Sequence, residues 1–275
     1  MSIIREPIPT PEQSVPCTLV NESLLSTNRD WFSPLFLSAT NYHPMDDSIQ
    51  HTTNRTFFVR WFDHESDGIH NDTTSVTVLL TQETDEIKVV STASCVHDER
   101  RETGIELHSW IECILNGFPM ETSNRLHQQA CSYYTEQIRN KLVPWRTEMA
   151  IRSASDIRVV GVVDALFFDP LQPGLDGLLQ LHMKDWKYSQ YVSEHYMREY
   201  TLQMNMYKYI LESQYTGVDP FWVAGCVYTG LSIVSMELVV FHETCETYSI
   251  YAVADEQKYV SEQLLQRKKR IMTTQ

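Results

Sequence analysis

The hydrophobic period changes several times along the chain, and each change predicts an element. Within residues 102–115, Leu107, Trp110, Ile111, Ile114 and Leu115 fall at i, i+3, i+4, i+7 and i+8, the stripe of an amphipathic helix. Asn116-Gly117 and Pro119 should stop it. A second helix is expected from Ser123, a good capping residue, to Leu142 ahead of Pro144. The period then drops to two. Trp145, Thr147, Met149 and Ile151 alternate with Arg146, Glu148 and Ala150, and residues 157–168 (IRVVGVVDALFF) form a long β-rich run. Turn residues crowd 169–177 (DPLQPGLDG) and lead to a third strand over 178–187. A helix over 193–215, strands over 221–229 and 235–242, and a last helix ending in Arg267-Lys268-Lys269-Arg270 complete the pattern.

Upstream the signals are weaker. Six of the eleven prolines precede residue 45, and Pro7, Pro9, Pro11 and Pro16 read as an extended lead-in. The β-rich runs 56–61 (TFFVRW) and 75–80 (SVTVLL) predict a hairpin or a small sheet. The chain therefore divides into an N-terminal lead-in and hairpin region, 1–90, and a core, 91–275. Helices flanking a run of strands make the core α/β, with a central mixed sheet and the N-terminal β-rich part as an addition.

Composition narrows the function classes. The 275 residues allow one large domain or two small ones, and no apolar run reaches the ~18 residues of a membrane span. Glu6 and Glu12, with no apolar stretch around them, predict neither a secretory signal nor a transit peptide, so an intracellular address is expected, with the compartment left open. The six cysteines stand 18 or more residues apart without a CxxC pair, which predicts reduced thiols and no zinc or iron–sulfur site. A net charge of −14 excludes a histone-like binder.

One group of residues carries candidate chemistry. Asp164 lies inside an apolar strand, where an unpaired carboxylate is costly. Asp185 and Lys187 stand at i and i+2 and share a strand face. If the two strands pair across 169–177, both carboxylates and the ammonium converge at one end of the sheet. Two such carboxylates call for a cation between them, and Mg²⁺ or Mn²⁺ suits oxygen ligands. A lysine beside the ion can orient or help deprotonate a water and offset phosphoryl charge. Glu148 on the preceding strand offers a third carboxylate.

This order resembles the PD-(D/E)XK nuclease superfamily, with Asp164 as the first acidic position and Asp185-Trp186-Lys187 as the (D/E)xK element. Val163 replaces the proline, and Gly161-Val162-Val163-Asp164 matches the GxxD form of the RecB-like branch, which includes the mitochondrial genome maintenance exonuclease and the CRISPR-associated RecB-like exonucleases. Gly104 to His108 is similar to the branch's GxxxH helix, Glu148 to its upstream acidic position, and Gln203 and Tyr207 to its QxxxY pair. The resemblance spans roughly residues 94–215 and implies a restriction-endonuclease-like core. It further implies a metal held by His108, Asp164, Asp185 and the main-chain carbonyl of Trp186, with Lys187 positioning water, Glu148 as an additional ligand, and Gln203 and Tyr207 on the DNA. The branch's four-cysteine iron–sulfur cluster is not expected.

Taken singly, DxK, GxxD, a helical histidine and a QxxxY pair are all common; the weight rests on five elements in order. The reading is a Mg²⁺- or Mn²⁺-dependent exonuclease on DNA of single-stranded character, in replication, repair or recombination. Two alternatives stay open: a catalytically inactive nuclease-fold subunit that binds DNA or a partner, and an interaction protein whose acidic N-terminal region docks a basic partner. Residues 1–90 hold five basic and thirteen acidic side chains, whereas 137–210 hold nine basic and eight acidic. The acidity thus lies mostly outside the candidate site, and DNA contact should be confined and salt-sensitive.

Overall fold

The computed structural model describes residues 94–116, 124–154, 157, 159–189, 192–217, 220–244 and 247–274, with the short strands β1 (Ile49–His51), β2 (Phe57–Val59) and β3 (Thr74–Ser75). The core runs α1 (Ser94–Leu115), α2 (Arg125–Tyr133) with a π turn (Tyr134–Ile138), β4 (Val143–Arg152), β5 (Val159–Phe168), β6 (Gly174–Leu175) and β7 (Leu178–Ser189). It continues through α3 (Glu194–Gln214), β8 (Phe221–Val223), β9 (Cys226–Tyr228), β10 (Gly230–His242), β11 (Tyr248–Ala252) and α4 (Gln257–Thr274).

A seven-stranded mixed sheet lies at the centre, in the order β11-β10-β7-β5-β3, with β4 also on β5 and β6 on β7. β10 pairs parallel to β7 and β3 parallel to β5; the other pairs in the sheet are antiparallel. A parallel neighbour needs a crossover, and α3 supplies it between β7 and β10.

Side-chain alternation then sorts the apolar residues onto two faces. Leu179, Leu181 and Met183 of β7 pack with Trp145, Met149 and Ile151 of β4, under Met204, Ile210 and Leu211 of α3 and Val260 and Leu264 of α4. Trp186, Phe167, Val239 and Phe241 point the other way, against Leu107 and Ile111 of α1 and Leu126 and Tyr133 of α2. The result is the expected mixed sheet between helices. Among the described residues no helix is long and apolar enough to cross a membrane.

Several boundaries differ from the sequence reading. The first helix begins at Ser94, ahead of its apolar stripe. Asn124 caps α2, its side chain accepting the amide of Leu126; Ser123, Gly117 and Pro119 lie outside the described residues. The second helix ends short of Leu142 because the chain turns at Asn140, whose φ of 63° is a left-handed conformation asparagine tolerates. Residues 221–229 are a tight hairpin, not one strand, since Ala224 and Gly225 both take positive φ, and β10 starts at Gly230.

Of the runs 56–61 and 75–80, only Phe57–Val59 and Ser75 are described, and these do not pair with each other. β2 pairs with β1, which is nearer in the chain and needs a shorter connection, while β3 fills an open edge of β5. The rest of those runs and the extended lead-in over 1–48 lie outside the described residues.

Candidate metal centre

The site grows from a fork in the sheet. β4 covers one edge of β5 from Val160 to Phe168. The other edge is shared: Val159 and Val160 pair with β3, and Ala165 to Phe167 pair with β7. Asp164 sits where the partner changes. One further step of the β5–β7 register would set Asp164 opposite Asp185, but the ladder stops at Ala165 and Lys184. Like charges directly opposite destabilise a strand pair, which favours separation at this step. The amide that the ladder leaves over is satisfied from within the fork: Trp186 N donates to Asp164 Oδ2 at 2.7 Å.

Glu148 faces the same point from β4. The β4–β5 register brings it across from Asp164, yet this pair too is missing from the ladder, and Glu148 has φ 47°. A non-glycine residue in that region costs about 1–3 kcal/mol and persists only where its surroundings dictate it. The surroundings here are charged. Leu107, Trp110 and Ile111 seat α1 on the sheet, and that places His108 beside the fork. Its Nδ1 lies 3.0 Å from Glu148 Oε1 and 3.8 Å from Asp164 Oδ1, and its Nε2 lies 3.2 Å from the carbonyl oxygen of Trp186.

Both ring nitrogens therefore meet acceptors, which suits the doubly protonated imidazolium. Burial opposes that charge, but Asp164 and Glu148 outweigh it and raise the His108 pKa to about 9. Burial pushes the Asp164 carboxyl up, with His108 and Lys187 pulling back. The imidazolium fills a cage of two carboxylates and a carbonyl that would otherwise be short of a cation.

The DxK half comes from β7. Trp186 points into the α1/α2 core, gripped edge-on by Tyr133 at 5.4 Å and Phe167 at 6.5 Å between ring centroids. Its neighbours Asp185 and Lys187 accordingly point toward α3. Lys187 Nζ is 2.5 Å from Asp185 Oδ2 and 5.1 Å from the ring centroid of Tyr200. Burial works against the ammonium, yet Asp185 and Asp164 hold its pKa above the ordinary lysine value. Lys187 is thus an ammonium paired with Asp185. Asp185 is pushed up to about 6, by burial first and then by Asp164, against the pull of Lys187.

Of the residues singled out in the sequence, the fold gathers His108, Glu148, Asp164 and the Trp186 carbonyl at the fork, with the paired Asp185 and Lys187 close enough to act on the charges of Asp164 and His108. One ligand atom each from His108, Glu148 and Asp164 fits within 4.8 Å of the rest, the span of two bonds of about 2.1–2.4 Å to a divalent ion. Asp185 falls outside that set; it is paired with Lys187 and feels the charges of Asp164 and His108. In α3, Gln203 Nε2 donates to the Tyr207 hydroxyl at 2.8 Å. Tyr207 is buried, and its pKa lies above the usual phenol range, chiefly through burial and then through Asp185.

Two features escaped the sequence. Tyr200 carries the cation–π contact to Lys187, and only the i, i+4, i+7 spacing of Tyr196, Tyr200 and Gln203 hinted at a shared helix face. Gly161 opens the GxxD run because the Tyr207 ring lies on it: a Cβ there would sit 2.4 Å from Tyr207 Cε1. Gly161→Ala should lower stability by about 1–3 kcal/mol through overpacking. Urea unfolding with an unchanged midpoint would show that the ring moves aside freely.

No known protein family and no curated protein matches the chain.

Proposed function

We propose that the chain is a Mg²⁺- or Mn²⁺-dependent deoxyribonuclease of the PD-(D/E)XK kind, an exonuclease on DNA with single-stranded character, acting in replication, repair or recombination. The carrying observation is the cage at the β5–β7 fork, where His108, Glu148, Asp164 and the Trp186 carbonyl surround a cationic centre, with the charge of Lys187 acting on Asp164. The donor set fits a hard divalent ion, and the imidazole in it favours Mn²⁺ over Mg²⁺. His108, Glu148, Asp164 and the Trp186 carbonyl would hold the ion, with Asp185 at its margin.

When bound, a divalent ion supplies charge neutralisation at the phosphoryl group and acidifies an attacking water. The chain's own residues do the rest. Lys187, held by Asp185 and Tyr200, presents an N–H to the attacking water or to a non-bridging phosphate oxygen, where negative charge develops. Asp185, ionised above about pH 6, fixes that ammonium and is the nearest carboxylate to accept a proton on the α3 face. Trp186 ties the two halves together: its amide orients Asp164, and its ring anchors the main chain.

The test is cleavage of 5′- and 3′-labelled single- and double-stranded DNA. Products are expected with Mn²⁺ and Mg²⁺, none with EDTA, and faster on single strands. Cleavage that persists in EDTA, or a folded chain inert with both metals, overturns the reading.

A further inference from the structure

Beyond the metal centre, one face of α3 forms a continuous line from solvent to the fork. Tyr196, Tyr200, Gln203 and Tyr207 fall at i, i+4, i+7 and i+11 and share that face. Their exposure grades inward: Tyr196 is 50% exposed, Tyr200 and Gln203 are half-buried, and Tyr207 is 4% exposed. The Tyr196 and Tyr200 rings are nearly parallel, 18° apart in plane with centroids 6.3 Å apart. The inner ring carries Lys187, and the line ends at the Gln203–Tyr207 hydrogen bond above Gly161.

A half-exposed aromatic residue on a helix is ordinary, and a tyrosine under a lysine is a packing device. Their combination is what calls for a ligand. The outer ring is half-exposed, lies nearly parallel to a second ring, and sits one helical turn from that ring, which carries the ammonium proposed to meet the scissile phosphate. A base one or two nucleotides from that phosphate lies within reach of such a platform. Every nucleobase has a π-face, so this recognition is indifferent to sequence, but it requires a base that is not already paired and stacked in a duplex.

We propose that Tyr196 and Tyr200 form a stacking subsite for unpaired nucleobases, and that this subsite gives the site its preference for single strands. The proposal rests on the nuclease reading above and adds the feature of the substrate that is read. Tyr200 also positions Lys187, so Tyr196 is the residue whose loss isolates stacking.

The experiment crosses Tyr196→Ala with removal of the base. Binding is measured without metal, using a 2-aminopurine-labelled single strand and its counterpart with abasic sites near the cleaved end. Cleavage is measured on the same strands with Mn²⁺. Tyr196→Ala should weaken binding and kcat/KM on the intact strand by about tenfold. It should have little effect on the abasic strand, and Tyr196→Phe should restore the wild-type values. Equal losses on intact and abasic strands, or no loss on either, overturn the subsite. A wild-type chain that binds without cleaving removes the hydrolytic reading alone, and the same comparison on Kd still decides the subsite. A wild-type chain that binds neither strand removes both.

Discussion

Asp164→Asn should abolish metal-dependent cleavage while the fold survives. The amide oxygen of asparagine can still accept from Trp186 N, which the aspartate now does at 2.7 Å, so the backbone of the fork keeps its tie. What goes is the negative charge beside His108 and the oxygen it offers to a metal ion. Mn²⁺ affinity should fall by more than the roughly 10–100-fold that loss of an outer-shell partner costs. Single-turnover cleavage should fall to background with an unchanged circular dichroism spectrum, and the melting temperature should drop because the buried imidazolium loses its Asp164 partner. Lys187→Met provides the contrast. It removes a donor aimed at developing charge, which is worth about 10²–10³ in rate, but leaves His108, Glu148 and Asp164 in place. Calorimetry should therefore find Mn²⁺ binding retained in Lys187→Met and lost in Asp164→Asn. Equal Mn²⁺ binding by Asp164→Asn and wild type would remove Asp164 from the ligand set.

Metal binding should expel a proton and strengthen steeply with pH. In the free protein His108 is protonated below about pH 9, because Asp164 and Glu148 overcome the effect of burial. A ligating imidazole must be neutral, so an ion entering the cage displaces that proton. Apparent affinity should rise about tenfold per pH unit and level off near pH 9. The slope should steepen near pH 6 and below if the Asp185 carboxyl also has to ionise. Stability of the metal-free chain runs the opposite way. The pKa is raised from 6.5 in the unfolded chain to about 9 in the fold, so the imidazolium's contribution is complete below pH 6.5 and lost as pH rises through 9. Melting temperature without metal should drop across that window, and Mn²⁺ should restore most at the alkaline end. Titrations in two buffers of different ionisation enthalpy count the protons. No release between pH 7 and 8 would show that His108 does not ligate.

Which elements form and which of their faces are buried were largely legible in the pattern of the chain, while their exact ends were not. The apolar stripe around His108, the period-two runs through Glu148 and Asp164, and the i, i+2 placement of Asp185 and Lys187 all survive into the structure. Local periodicity is a property of neighbours in sequence, and burial enforces it. Strand partners in the N-terminal region are not local in this way. Nothing in 56–61 or 75–80 says which partner strand each will meet, and β2 and β3 go to different sheets.

The sequence by itself determined an α/β chain with a mixed sheet, a histidine on a helix bordering the core, and three carboxylates and a lysine on its strands. The tertiary structure alone decided how those groups divide. Strand separation at Asp164 draws His108 and Glu148 together, pairs Asp185 with Lys187 and lays Tyr207 over Gly161. A fork is a competition between a few ladder hydrogen bonds and the repulsion of facing carboxylates, settled by groups from four elements distant in sequence. No local pattern encodes that balance, so the spacing of the motifs could name the participants and could not assign their partners.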